Sequence, residues 1–569
     1  MSVKRKKRIL FVGEASYIAT GFGTYWNEVL RRIHDTQEFE IAELGSYSSE
    51  GDPKIQQIPW KFYPVAPRPD DEASKKAYNS KRTHQFGEWR FEDVCIDFQP
   101  DIVCGIRDWW MDEFVLRSPL RKYFKFLWMP TIDGFPQKEA WLDSYEQCDG
   151  VLTYSEWGMD LLKKYGREST KLITVASPGA DLDMFSPVPD KKQHKAKLGI
   201  DPETLIVGTI MRNQKRKLYY DLIEAFADWV YKNKNKGHLD LVKRTFLYLH
   251  TSYPDVGYDI GRAVQEFKLG NKVLMTYLCT QCGTAFPAFF TGQVTTCKSC
   301  RKPSAHPPNA SHHCPRNVLA NIINTFDIYV QYSICEGWGM PLTEAQACGI
   351  PTMAVKYSAM EDHLKNPGSI TIEVERFFYE AIIETEQRRA LPSNKDFVAK
   401  LDSFLKRSDL QRDVYAKKTR DHIVEPVETY GQDEKLPRRG WDRTAAIWAN
   451  VLREQEIYDP ADTWEYPRPR VHQPDLRQPK KYMNNSEFVR WAISDILDRP
   501  ELVYTYFAAE WITALNTGFK VEVDQRIPVD RNRVIEYFLN LINHRNEVEQ
   551  RRVNRLQQVD SNKVNAVVI

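Results

Sequence analysis

The sequence predicts an α/β protein built from two Rossmann-like domains, with a small cysteine-bearing insertion and a mostly helical C-terminal appendage. Apolar strand-like runs alternate with helix-like runs twice along the 569 residues, and the second series starts afresh after a break rich in Pro and Asp. Two Cys-x-x-Cys pairs interrupt the second series, and the composition becomes Pro- and Arg-rich after residue 458. A chain of this length exceeds one ordinary core, so two large domains are expected.

The first domain is predicted to span residues 1–188. It opens with a strand at 8–13, a loop that contains Gly21 and Gly23, and a helix, which is the order that starts a nucleotide-binding βαβ unit. Three more continuous apolar runs, typical of buried parallel strands, follow at 101–106, 124–132 and 150–155. A segment rich in Pro and Asp at 178–190 then ends the series.

The second domain is predicted to span residues 189–438, with an inserted ribbon at 279–314. Its alternation restarts with a strand at 205–211 and resumes after the insertion. An aromatic-rich closing helix is expected at 439–458, and a separate helical appendage at 459–569. The chain is thus divided into two large α/β bodies and smaller additions.

The charge of the chain is nearly balanced, with 79 Lys and Arg against 77 Asp and Glu, so no global field directs it to polyanions or membranes. No apolar run reaches the roughly 18 residues of a membrane span, and the apolar stretch at 9–12 is too short for a signal peptide. We therefore expect a soluble cytoplasmic protein without a membrane span. In that compartment, Cys-x-x-Cys pairs indicate metal binding rather than disulfides.

Residues 332–350 combine a strand, a glycine-bearing loop and a helix. Pro341 suits the first turn of that helix and Gly349 suits its end. Such a helix start presents free backbone N–H groups and the positive end of the helix dipole, which favour a diphosphate. Glu336 lies in the loop and Glu344 about one turn inside the helix, so that one carboxylate faces a transferring sugar and the other a ribose diol. Alternatively, both glutamates only solvate the start of the helix.

This segment resembles the Glu-x7-Glu signature of retaining glycosyltransferases of family 4, also called glycosyl transferases group 1, which usually reads Glu-Gly-Phe-Gly and then Glu-Ala-x-Ala-x-Gly. The preceding interdomain segment is also similar to that family, with matches at Gly179, Asp181, Phe185 and Pro187. The resemblance implies the GT-B fold, in which two Rossmann-like domains face each other across a cleft, and a nucleoside-diphosphate sugar as donor. It implies a catalytic role for Glu336 and donor binding by Gly21, Gly23, Arg212, Lys217, Gly337, Gly339, Met340, Pro341, Leu342 and Glu344.

Arg212 and Lys217 resemble the family's basic pair, which neutralises the donor diphosphate. Alternatively, they belong to a solvated basic turn together with Lys215 and Arg216. The family often carries a His beside the sugar, whereas this sequence has Asp133 in the matching place. Asp133 is expected to act in catalysis by holding a sugar hydroxyl or orienting the acceptor, unless it only caps a turn. Because the helix start and basic side chains stabilise the leaving diphosphate, no catalytic metal is required.

Cys279 and Cys282 are followed, after fourteen residues, by Cys297 and Cys300. Each pair places two thiolates on one tetrahedral ion, and four cysteines leave no open position, so the pattern predicts a structural zinc. Four unrelated buried cysteines are the alternative. A further metal ligand and a solvated loop are the two interpretations of the nearby residues His306, His312, His313 and Cys314.

The acceptor is left open by these motifs, since a glycan, a lipid-linked sugar, a protein and a hydroxylated base in DNA all offer a hydroxyl. Contact with nucleic acid is one interpretation of the basic ribbon and appendage, and plain solvation is the other. The residues concerned are Lys298, Arg301, Lys302, Arg468, Arg470, Arg477, Lys480 and Lys481, with Trp464 and Tyr466 nearby. The alternative functions are an inactive GT-B scaffold that binds nucleic acid through these segments, and another GT-B activity such as epimerisation or phosphorolysis.

Overall fold

A computed structural model describes residues 5–309, 312–381, 384–477, 483–522 and 525–567. The appendage residues Lys480 and Lys481 lie outside the described residues. The described chain forms two α/β bodies around parallel sheets, a cysteine ribbon on the edge of the second sheet, and a helical C-terminal region. The predicted fold class is thereby confirmed.

The first body contains the strands β1 (Arg8–Glu14), β2 (Glu40–Ser49), β3 (Lys61–Ala66), β4 (Ile102–Gly105), β5 (Lys125–Trp128), β6 (Gly150–Thr153) and β7 (Leu172–Val175). They form one parallel sheet in the order β3-β2-β1-β4-β5-β6-β7. The residues from Ile9 to Val12 are fully buried, as expected for an inner strand covered on both faces. The helices are α1 (Gly21–Asp35), α2 (Glu72–Asn79), α3 (Glu88–Phe98), α4 (Trp109–Asp112), α5 (Phe114–Arg117), α6 (Glu139–Glu146) and α7 (Glu156–Tyr165).

The strands of the second body are β8 (Leu205–Ile210), β9 (Thr245–His250), β10 (Val273–Cys279), β11 (Ala285–Phe289), β12 (Ala305–His306), β13 (Ile328–Gln331), β14 (Thr352–Val355) and β15 (Ile370–Ile372). The order β10-β9-β8-β13-β14-β15 is parallel, and β11 and β12 pair with β10 in the antiparallel sense. Its helices are α8 (Lys191–Lys197), α9 (Tyr219–Asn235), α10 (Leu239–Arg244), α11 (Ile260–Glu266), α12 (Arg316–Ile323), α13 (Met340–Ala347), α14 (Met360–Leu364), α15 (Asn394–Leu405) and α16 (Asp409–Val424).

Two antiparallel hairpins and one long helix complete the second body. The hairpins pair β16 (Val374–Tyr379) with β17 (Arg388–Pro392), and β18 (Pro426–Thr429) with β19 (Gln432–Pro437). The closing helix α17 (Trp441–Glu454) then packs on α1 of the first body. Trp448 Nε1 donates a hydrogen bond of 2.7 Å to the Tyr25 hydroxyl, which itself donates to the carbonyl of Ala176 at 2.8 Å. The chain thus crosses back to the first body after completing the second.

The appendage lies on the first body. It comprises α18 (Asn485–Trp491), α19 (Tyr506–Thr517), β20 (Phe519–Glu522), β21 (Gln525–Pro528) and α20 (Arg531–Val567). Trp464 is fully buried, and its Nε1 donates to the carbonyl of Pro100 at 2.8 Å, so this ring offers no face for base stacking. Arg552 of α20 is also buried and donates to the carbonyls of Tyr466 at 2.8 Å and Arg468 at 3.0 Å. The basic segment, for which nucleic-acid contact and plain solvation are the two interpretations, is therefore partly fixed in place by α20.

No helix in the described part of the chain combines the length and the apolarity that crossing a membrane requires. The closing helix and the appendage both pack on the first body although they follow the second along the chain. Segments that are separate along the chain therefore pack together in space. The predicted domain boundaries at residues 188, 438 and 458 stay predictions.

Candidate functional site

Glu336 lies in the loop between β13 and α13, and it is almost fully buried. Its Oε1 accepts hydrogen bonds from Lys217 Nζ and, at 2.7 Å, from Ser333 Oγ. Gln331 Nε2 donates to the same oxygen at 2.5 Å. Its Oε2 accepts from Arg216 Nη1 at 3.2 Å. One carboxylate is thus held by two cations and two neutral donors.

The charge state of this cluster follows from burial and from the two cations. Burial raises the pKa of Glu336, but the charges of Lys217 and Arg216 outweigh burial and lower this pKa to about 2. The carboxylate is therefore ionised at neutral pH. Burial also lowers the pKa of the Lys217 ammonium below its usual value, and Arg216 adds to this while Glu336 opposes it. Two cations share one carboxylate, which leaves positive charge for an anionic ligand to neutralise.

Arg212 does not join this cluster. Its side chain is 58% exposed and forms two hydrogen bonds with Asp255, at 2.8 Å and 3.1 Å. The arginine that lies beside Lys217 at Glu336 is Arg216, because a single 3₁₀ turn carries both residues to the carboxylate. The structure therefore brings Lys217 to Glu336 and leaves Arg212 at the surface, in contrast to the predicted pairing.

The start of α13 lies directly after the Glu336 loop. The helix begins at Met340 with Pro341 in its first turn, and the preceding Gly339 has a φ of +93°, a conformation that favours glycine. The Leu342 N–H donates to the carbonyl of Gly339 at 2.9 Å. No described side chain caps this helix start, so further N–H groups of the first turn are available to a ligand.

Glu344 projects from α13 and is almost fully buried. Its Oε1 lies 3.2 Å from Nη2 of Arg316, the first residue of α12. Burial raises the pKa of Glu344, Arg316 opposes this, and Glu28 of α1 adds to it. Glu28 belongs to the first body, so charges of both bodies act on Glu344.

The glycines of both bodies meet different surroundings. Gly21 is the first residue of α1, and a Cβ placed there would have no atom within 4 Å. A Cβ at Gly23 would lie 2.4 Å from the carbonyl oxygen of Ile18, so only glycine fits. A Cβ at Gly337 would lie 2.5 Å from Cγ2 of Thr131, which follows β5 of the first body. Gly337 thus marks a close contact between the two bodies beside Glu336.

Asp133 also lies at the contact between the bodies. Its Oδ1 accepts a hydrogen bond of 2.9 Å from Arg389 Nη1, and its backbone carbonyl accepts a second of 3.0 Å. Cys335 Sγ donates to Oδ2 at 3.3 Å, which places Asp133 beside the residue that precedes Glu336. The carboxylate is therefore near the predicted catalytic residue, and it is paired with a cation of β17.

Four site residues escaped the sequence analysis: Arg216, Arg316, Arg389 and Asp108. Arg216 stands in a visible basic cluster, but the sequence does not show which member points inward. Asp108 follows β4, and burial, with a contribution from Asp133, raises its pKa to about 6 although Arg216 opposes this. The carboxyl ends of parallel strands meet at one edge of a sheet, and this rule was the available signal for Asp108. No sequence signal pointed to Arg316 or Arg389.

The four cysteines of the two Cys-x-x-Cys pairs come together beside β10. Their Sγ atoms all lie within 4.8 Å of one another, with 3.6 Å between Cys279 and Cys300 and 3.6 Å between Cys282 and Cys297. A tetrahedral ion with Zn–S bonds of about 2.3 Å separates its sulfurs by about 3.8 Å, so the group fits one such ion. The described group includes none of the nearby candidates His306, His312, His313 and Cys314.

Solved structures share the arrangement of the two bodies. Sucrose-phosphate synthase from Thermosynechococcus elongatus covers 79% of this chain and 99% of its own length, with 15% identity and a TM-score of 0.53. Anabaena HepE in complex with UDP and glucose covers 79% of this chain and all of its own, with 12% identity and a TM-score of 0.51. The chain has the GT-B fold. At these identities the likeness to other GT-B proteins concerns the fold alone.

Sequence comparison matches shorter parts of this GT-B chain. The family model of glycosyl transferases group 1 matches residues 309–421, which include the Glu336 loop and α13. The D-inositol 3-phosphate glycosyltransferase of Rhodococcus erythropolis is 26% identical over 202 residues, which are 36% of this chain and 37% of that protein. Its counterpart from Rhodococcus jostii is 25% identical over 216 residues, 38% and 39% of the two chains. The chain thus spans less than half the length of the curated relatives it matches.

Proposed function

We propose that this GT-B chain is a retaining glycosyltransferase of family 4, which moves a sugar from a nucleoside-diphosphate sugar to a hydroxyl of a glycan or of a hydroxylated base in DNA. The observation that supports this most strongly is the buried, ionised Glu336 beside Lys217 and Arg216 at the start of α13. An open helix start, two cations and a fixed carboxylate are the groups that sugar transfer from a diphosphate calls for. The family match covers the same loop and helix.

The proposed chemistry places opposite charges on either side of the breaking bond. As the anomeric C–O bond to the diphosphate lengthens, negative charge grows on the leaving oxygen and positive charge grows on the sugar ring. Arg216, Lys217 and the N–H groups of α13 stabilise the leaving group, and the carboxylate of Glu336 stabilises the ring. In this proposal Arg216 takes the part first assigned to Arg212. The other donor contacts are those predicted: Gly21, Gly23, Gly337, Gly339, Met340, Pro341, Leu342 and, for the ribose, Glu344.

Further parts of the proposal concern the acceptor and the metal. Asp133, fixed by Arg389, orients the acceptor or a sugar hydroxyl at the contact between the bodies. The four cysteines hold a structural zinc, the transfer itself uses no metal, and the protein works in the cytoplasm, where thiols stay reduced. The inactive-scaffold alternative is less favoured, because burying an ionised carboxylate with two cations is costly and a scaffold gains nothing from it.

A panel of UDP-, GDP- and ADP-sugars, offered with and without glycan, lipid-linked and DNA acceptors, tests this function. We expect nucleotide release with one class of donor, accelerated by one class of acceptor, and a product whose anomeric configuration matches that of the donor. Nucleotide release is followed by a coupled assay, and the configuration is read by NMR. Absence of release with every donor, together with binding of nucleic acid, would favour the scaffold instead.

Substitutions of Arg216 and Arg212 test which of the two arginines binds the diphosphate together with Lys217. Arg216→Gln is expected to weaken binding of the matching nucleoside diphosphate by about 10- to 100-fold, because a charge-assisted hydrogen bond is lost. Arg212→Gln is expected to change the affinity by less than about twofold, because its guanidinium is occupied by Asp255. Titration calorimetry measures both, and the reverse order of effects would restore Arg212 as the diphosphate ligand.

A further inference from the structure

A cavity of about 420 Å³ lies between the hairpin β18–β19, the start of α17 and the start of α7. It shares no residue with the cluster at Glu336. Four cationic side chains line it: Lys435, Arg438, Arg439 and Arg443. Cavities of this size hold small ligands, and a convergence of guanidinium groups is suited to oxyanions.

Arg439 is the innermost of these cations, with 9% of its surface exposed. Its backbone is fixed, since its N–H donates to the carbonyl of Ile423 and its carbonyl accepts from the N–H of Ala180. Its guanidinium lies over the ring of Trp338, 4.7 Å from the ring centre. Within the described part of the chain, this guanidinium makes no hydrogen bond and no ion pair. A charged group buried in this way is costly until an anion reaches it.

The neighbouring arginines add positive charge beside Arg439 and do not neutralise it. Arg443 Nε is buried and has no hydrogen-bond partner among the described residues, and its Nη2 donates only to the carbonyl of Glu428, at 3.3 Å. Arg438 is already paired with Glu425, at 2.5 Å. Two guanidinium groups with free donors therefore face the cavity.

Three carboxylates also line the cavity, and two of them are already paired: Glu425 with Arg438, and Glu156 with a lysine outside the cavity. Glu156, the first residue of α7, lies 2.5 Å from Lys365, and the same lysine lies 3.1 Å from Asp362. Glu428 lines the cavity and is exposed to solvent. Burial lowers the pKa of Arg439 to about 10; Asp362 and Glu156 oppose this effect, and Arg443 and Arg438 strengthen it. The positive charge in the cavity is thus only partly compensated by the protein.

We propose that this cavity is a binding site for a phosphoryl group, held by Arg439 and Arg443 with Lys435 at its opening. A phosphate dianion accepts several charge-assisted hydrogen bonds at once, and each of the two guanidinium groups offers a planar fork of N–H donors. The ligand is inorganic phosphate or a small phosphate ester, and the volume has room for either. Because Arg439 contacts Trp338 in the Glu336 loop, the ligand lies next to the donor site without occupying it. The binding itself does not depend on the function proposed above.

Calorimetric titration of the full chain with inorganic phosphate, at ionic strength balanced with NaCl, tests the site. We expect one saturable site that is retained in Arg216→Gln, which separates the cavity from phosphate bound at Glu336. Arg443→Gln is expected to raise the Kd at least about tenfold, and Lys435→Gln, an exposed change, about threefold. The matched control Arg453→Gln, on the same helix but paired with Glu38, is expected to leave the Kd unchanged.

Two outcomes would overturn the proposal: no saturable phosphate binding, or binding whose Kd is unchanged in both Arg443→Gln and Lys435→Gln, whether or not Arg216→Gln affects it. A parallel titration with glycerol 3-phosphate identifies the source of the phosphoryl group. A Kd at least about tenfold below that of inorganic phosphate assigns the cavity to a phosphate ester, and equal affinities assign it to inorganic phosphate. Both of these results support the site.

Discussion

Glu336→Gln is expected to reduce sugar transfer by at least about 100-fold and to lower the free energy of unfolding by about 3 kcal/mol. The change keeps the shape of the side chain and removes the charge that Lys217 and Arg216 share. The buried Lys217 and the partly exposed Arg216 then lose their partner, and the developing positive charge on the sugar loses its carboxylate. Nucleotide release measures the first effect, and urea unfolding measures the second.

The nucleotide affinity of this variant separates a missing charge from a damaged fold. A nucleoside diphosphate brings its own negative charge to Lys217 and Arg216, so Glu336→Gln is expected to bind it at least as tightly as the unaltered protein. Glu549→Gln is the control, since Glu549 is a fully buried carboxylate that pairs with Lys122 on the first body. It is expected to lose stability and keep transfer within about twofold. Transfer by Glu336→Gln close to that of the unaltered protein would refute the assignment.

The fold was predictable because its strands are buried on both faces. Continuous apolar runs such as Ile9 to Val12 are typical of parallel inner strands, and their alternation with helices restarts once, which predicts two bodies. The packing of α17 on α1 was not predictable, since it depends on the Trp448 and Tyr25 side chains meeting across more than 400 residues of sequence. The position of the appendage was not predictable for the same reason, since it depends on the hydrogen bond from Trp464 to the carbonyl of Pro100, which is distant in the sequence.

The candidate site also contains residues that local sequence predicts and residues that it does not. Glu336 and Lys217 stand in segments whose local structure, a loop before a helix and a basic turn before a helix, is legible from residue types. Arg216 points toward Glu336 because a 3₁₀ turn is followed by Leu218, whose φ is +41°. The sequence gives no reason to expect this left-handed backbone conformation at a leucine. Arg389 reaches Asp133 from a hairpin 256 residues away. Local geometry at bulky residues and contacts between distant segments are the parts that a single sequence does not encode visibly.

The contact between the two bodies links these observations to function. Thr131 approaches Gly337, Arg389 holds Asp133, and Glu28 influences the pKa of Glu344, so both bodies contribute to the surroundings of the Glu336 loop. In the function proposed above, bringing the bodies together excludes water from a donor bound there, which suppresses hydrolysis in favour of transfer. Because Thr131 lies so close to Gly337, a side chain at position 337 is expected to hold the two bodies apart.

Cys297→Ser is expected to abolish metal binding and to unfold the ribbon. The unaltered protein is expected to contain about one zinc per chain, and structural zinc in small peptides contributes about 10 kcal/mol or more to folding. Cys297 is fully buried, and Cys279 is the last residue of β10, which carries β11 and β12. Loss of the ion therefore removes the support of the second sheet's edge as well as that of the ribbon. Metal analysis by mass spectrometry and thermal unfolding measure the two effects.

The neighbouring thiol provides the matched control for this change. Cys314 lies outside the group of four sulfurs, so Cys314→Ser is expected to keep the metal content at about one per chain and to leave the melting temperature within about 2 °C. A chelator added to the unaltered protein is expected to reproduce the unfolding seen in Cys297→Ser, because the ion and not the serine is the cause. A metal-free protein whose melting is the same with either substitution would show that the four cysteines are only packed together.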